Sequence, residues 1–157
     1  MSQRLHASVI ALVETVADSV AGYEHIASHT HGFGWYSYCE MHALERQRLV
    51  ATLRRAIEAH GSYADAQGTL LGSAHRLFLD LKSALLDSEQ SVVDELLRGE
   101  RFLADQIRKA HRDAGPLPSD IEEILVTLHR NVQSSLGELT ALHKRIERGQ
   151  QPSPSHL

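Results

Sequence analysis

Cysteine occurs once in this chain of 157 residues, at Cys39, so an intrachain disulfide is excluded and a reducing, cytoplasmic compartment is the expectation. Aromatic residues make up 5% of the chain, and its four prolines are too few to delimit many loops. That excludes a loop-rich architecture and leaves helices with short punctuation. No long hydrophobic run is present either. The apolar stretch from Val9 to Val13 is interrupted by Glu14 and Asp18 well before the length of a signal-peptide core or a membrane span, so neither export nor a membrane partner is expected. Neither sign of charge dominates: the formal net charge is −4, and the arginines clustered at Arg46, Arg48, Arg54 and Arg55 are balanced by acids elsewhere. Nucleic acid is therefore not an expected partner. The chain is rich in histidine, with eleven scattered residues. Most read as ordinary surface groups, and metal binding or pH sensing is the sharper reading.

The length suits one domain, with boundaries expected at 1–148. The stretch that organises it is Gly68 to Leu86, which is apolar on two sides and lies between two pairs of long amphipathic segments. Periodicity predicts helices over 4–28, 35–60, 70–86, 88–113 and 120–147. Leu5, Val9, Leu12, Val16, Val20 and Tyr23 form the first stripe, which ends at His31-Gly32-Phe33-Gly34. Trp35, Cys39, Ala43, Val50, Leu53 and Ile57 form the second, which stops at Gly61. Val92, Leu96, Leu103 and Ile107 continue the pattern until Gly115, Pro116 and Pro118 break it. Ser119 or Asp120 is expected to cap the last helix, whose seam runs from Ile121 to Ile146. The tail 149–157 is expected to be disordered. The fold class is all-α: an up-down-down-up four-helix bundle of ferritin-like connectivity, with a helical crossover between the second and third long helices.

In such a bundle chemistry must come from polar residues that point inward. At about 100° per residue, Glu14, Asp18, His25 and His29 share a stripe opposite the first seam and read as solvated, whereas Glu24 sits nearer the seam edge. On the second helix Arg46 falls at the centre of the apolar stripe, with His42 one turn before it. On the third, Glu100 lies close to the seam and Glu95 points away. With the second and third helices parallel, Arg46 and Glu100 lie at matching depth, so a buried ion pair between them is expected. His129 flanks the last seam and His143 lies nearer its centre, while His75 faces the crossover's second apolar strip.

Gly22-Tyr23, Glu45-Arg46, Gly72-Ser73, His75-Arg76, Lys82, Gly99-Glu100 and His129, in that order and spacing, resemble the bacterial ferritin-like four-helix-bundle proteins grouped as a domain of unknown function. Phe78 stands where such proteins tend to carry a tryptophan, and His60-Gly61-Ser62 where they carry a glycine pair. The resemblance implies a ferritin-like bundle and no established activity.

A di-iron carboxylate site needs inward Glu-x-x-His on two helices, and neither is present; helix two carries the reversed order, His42-x-x-Glu45. Glu24, His42, Glu100 and His129 remain as a partial set for iron or another divalent metal. The expected function is a non-catalytic bundle, stress-associated or partner-binding, without a cofactor. The alternative is iron binding or oxidation at the degenerate site. No nucleophile elbow, phosphate loop or Cys-x-x-Cys points to other enzyme chemistry. The two apolar sides of the crossover are compatible with a homo-oligomer.

Overall fold

The computed structural model describes residues 4–29, 35–62 and 87–149. The expected crossover helix, with Gly72, Ser73, His75 and Arg76, and the tail beyond Gly149 lie outside these residues. The described residues form four helices and no strand: α1 (Ala7–His29), α2 (Tyr36–Ala59), α3 (Glu89–Ala114) and α4 (Ser119–Glu147). None is long and apolar enough to cross a membrane.

The helix starts show which local rules operate. Before α3, the Ser88 hydroxyl accepts the Ser91 N–H while the Ser91 hydroxyl accepts the Ser88 N–H, each at 3.1 Å, which satisfies two of the donors a helix start leaves open. Before α1 the imidazole of His6 takes that role: its Nδ1 accepts the Ser8 N–H at 3.1 Å, so the helix begins at Ala7 rather than at residue 4. At α4 the expected capping by Ser119 or Asp120 is corrected. The residue before the helix is Pro118, without a side-chain cap, and the Asp120 carboxylate instead meets His60 Nε2 at 2.9 Å across the end of the bundle. Gly115 closes α3 at φ 66°, a left-handed backbone that disfavours other residues, and Pro116 and Pro118 prevent continuation.

The apolar faces meet in two layers. One joins Val9, Leu12 and Val16 near the start of α1 with Leu53 and Ile57 near the end of α2, Leu103 and Ile107 of α3, and Leu125 and Leu128 of α4. The other joins Tyr23 and Ile26 at the end of α1 with Trp35, Tyr38 and Cys39 at the start of α2, Val92 and Leu96 of α3, and Leu139 and Leu142 of α4. The starts of α1 and α4 thus share a layer with the ends of α2 and α3, which requires α1 and α4 to run one way and α2 and α3 the other. Helix α1 packs directly on α2 and α3, and α4 on α3 and α2, leaving α2 and α3 on a diagonal of the bundle. Each fully buried Leu, Ile or Val side chain in these layers contributes about 1.5–3 kcal/mol.

The stripe of α1 read as solvated is only partly so. His29 is exposed, whereas Glu14, Asp18 and His25 are half-buried.

Candidate functional site

Between the two apolar layers lies a buried polar network centred on Arg46, which is 0% exposed. Its Nη1 donates to Glu100 Oε1 at 2.8 Å and its Nη2 to Glu100 Oε2 at 2.5 Å, a bidentate pairing across the α2–α3 diagonal. Nη1 also donates to Ser19 Oγ of α1 at 2.5 Å, and Nε to Asn131 Oδ1 of α4 at 2.8 Å. All four helices therefore meet on one guanidinium, whose planar fork suits such a convergence. Its carbon lies 5.6 Å from the centroid of the Tyr23 ring, which adds a cation–π contact. Burial by itself would lower the Arg46 pKa, but the charge and hydrogen bonds of Glu100 outweigh it and the net direction is upward.

An aromatic box sits one turn away. The His42 ring stacks on Tyr23 with centroids 5.3 Å apart and tilts against Tyr38 at 4.3 Å. Tyr23 Oη shares a 3.0 Å hydrogen bond with Ser135, and Tyr38 Oη donates to Glu138 Oε2 at 3.3 Å. Burial raises the pKa of both phenols, so both hydroxyls stay protonated. Beside them burial pushes the Cys39 thiol up to about 12, which removes its thiolate reactivity. Neither ring nitrogen of His42 has a hydrogen-bond partner among the described residues, and Nε2 lies 3.6 Å from Glu138 Oε2.

The burial of this imidazole makes stability depend on pH. Burial lowers the His42 pKa below 6.5, with Arg46 pushing the same way and Glu138, Glu100 and Glu45 opposing. Below pH 6.5 the unfolded chain takes up a proton that the folded chain does not. The contribution is therefore complete above that value and is lost as pH falls toward the lowered folded pKa. His42→Phe is expected to flatten the decline of urea midpoint between pH 7.5 and 5.5; parallel declines in the two proteins would show that His42 does not titrate this way.

The four metal-ligand candidates are not brought together. Glu24 faces solvent and accepts from Gln47 Nε2 at 3.1 Å. Glu100 has both oxygens engaged by Arg46, and His42 lies in the aromatic box. His129 is half-buried on the outer surface between α3 and α4, 3.4 Å from Gln133, where burial and then Arg108 and His111 lower its pKa. Among the described residues no three His, Cys, Asp or Glu side chains are placed to hold a metal ion. His143 lies at the bundle edge rather than near the seam centre, 3.3 Å from Asp94 and 3.5 Å from Glu147.

Sequence reasoning did not single out Ser19, Asn131, Ser135, Tyr38 or Glu138. Ser135 carried a readable signal: it occupies the seam position between Val132 and Leu139, where a polar residue needs a partner. Asn131 has the same α4 spacing from Leu128 and Ser135, and Ser19 the same α1 spacing from Val16 and Tyr23.

No curated protein and no solved structure gives a significant match to the chain. Residues 7–113 match the family described as Domain of unknown function (DUF2383). The matched span carries Ser19, Tyr23, His42, Arg46 and Glu100, whereas Asn131, Ser135 and Glu138 of α4 lie beyond it. With α1, α2 and nearly all of α3 inside the match, the chain belongs to the DUF2383 family.

Proposed function

We propose that this protein is a ferritin-like but non-catalytic bundle, a scaffold that acts through its outer surface while its interior charges serve helix register. One observation carries this reading: the mid-bundle position is filled by a guanidinium already hydrogen-bonded to Glu100, Ser19 and Asn131. A fixed cation there repels a dication, and Glu100 is the acid such an ion would need. Beside it, Tyr23 pairs with Ser135 and Tyr38 with Glu138. Stress association and partner binding fit a scaffold of this kind.

The test is elemental mass spectrometry on untagged protein grown with added iron, zinc and manganese and then dialysed. Metal well below one ion per chain is the expected result. Near-stoichiometric metal that is lost in Glu100→Gln, or in a His42→Ala variant that still folds, would replace the scaffold reading with metal binding at Glu24, His42, Glu100 and His129.

A further inference from the structure

The outer surface between α3 and α4 carries a groove of about 550 Å³, within the size range of small-molecule sites. Arg108, His111 and Arg112 line it from α3, and His129, Arg130 and Gln133 from α4; Val126 supplies its apolar wall and is 40% exposed. The spacing explains the convergence. On each helix these positions recur every three or four residues, so they stand on one face, and the antiparallel hairpin sets the two faces side by side.

The charge is one-sided. Among the described residues no Asp or Glu lines the groove, although acids outnumber Lys and Arg by 20 to 16 in the whole chain. Arg108 is held by Asp105 on its own helix, and His111 lies 3.3 Å from Glu122 of α4. Arg112 and Arg130 make no ion pair among the described residues, so two guanidinium groups in the groove have no described carboxylate within ion-pairing distance. A solvated helix face ordinarily intersperses the two signs, as α3 does with Arg98 beside Glu95 and Lys109 beside Asp113.

We propose that this groove binds a small anion bearing two or more phosphoryl groups. Guanidinium forks pair bidentately with phosphoryl oxygens, and Gln133 and the two imidazoles add donors. Gln133 stands seven residues after Val126, roughly 10 Å along the helix, which exceeds a single phosphate and suits a chain of them. Val126 offers an apolar surface to whatever group the phosphates carry.

The proposal is tested by isothermal titration calorimetry of the full chain with tripolyphosphate, inorganic phosphate and a short single-stranded RNA at physiological ionic strength. The expected result is saturable binding of one tripolyphosphate per chain, at least tenfold tighter than phosphate. Arg112→Gln/Arg130→Gln should weaken it at least tenfold with an unchanged melting temperature. Arg54→Gln/Arg55→Gln, an exposed pair on α2 that removes the same charge, should leave it within twofold. Absence of saturable binding, or equal losses in the two double variants, would overturn the site. RNA binding tighter than tripolyphosphate and dependent on Arg112 and Arg130 would overturn the small ligand in favour of a nucleic acid.

Discussion

Arg46→Ala is expected to lower the free energy of unfolding by about 3–5 kcal/mol, because it leaves a carboxylate buried with no compensating charge. Glu100 is 3% exposed, so water cannot replace the lost guanidinium without opening the bundle. Ser19 and Asn131 lose their partner in the same step. Removing both charges is a different experiment. In Arg46→Met/Glu100→Leu the desolvation cost of two ions disappears with their attraction, and apolar groups of similar size continue the two core layers. That variant is expected within about 2 kcal/mol of wild type, since buried ion pairs and their apolar replacements often come out nearly even. Urea denaturation followed by the fluorescence of Trp35, the sole tryptophan, measures both. A single variant no less stable than the double would show that Glu100 finds other partners and that the pair does not set the register.

Trp35→Ala is expected to cost about 3–5 kcal/mol by opening a large cavity at the start of α2. The ring is fully buried and meets Tyr38 edge-on, with centroids 5.4 Å apart and planes at 82°. Tyr38 in turn touches His42 and holds Glu138, so the cavity loosens one wall of the aromatic box as well. The indole N–H has no partner among the described residues, and such a buried donor costs about 1–3 kcal/mol. Trp35→Phe removes that donor while keeping most of the ring, so its loss should be less than half that of Trp35→Ala. Far-ultraviolet circular dichroism in urea reads both variants without the lost fluorophore. Equal losses would mean that the second ring of the indole, rather than aromatic packing on Tyr38, carries the stability.

The fold was largely legible because each helix announces itself locally. Apolar residues three and four apart, the Ser88 start of α3 and the Gly115-Pro116-Leu117-Pro118 break are properties of short stretches. Helix ends were less so where a side chain had two uses. Asp120 looks like a cap, yet His60, sixty residues earlier, takes its carboxylate. His6 does not look like a cap, yet its ring nitrogen faces the Ser8 N–H. Glu24 illustrates the limit for site residues: its position at the seam edge allowed an inward turn, and the neighbouring Gln47 of α2 holds it outward.

By itself the sequence determined four amphipathic helices, their order, and that a cation at the centre of the α2 stripe required compensation, since these follow from a 3.6-residue period and the cost of burying charge. Tertiary structure decided that the compensation crosses the α2–α3 diagonal and draws Ser19 and Asn131 onto the same guanidinium. It also decided that, among the described residues, His42 is left without a hydrogen bond and Arg112 and Arg130 share a groove lined by no acid. The physical reason is the same in each case. A helix sets which of its residues share a face, but which faces meet, and at what height, depends on the packing of several helices at once.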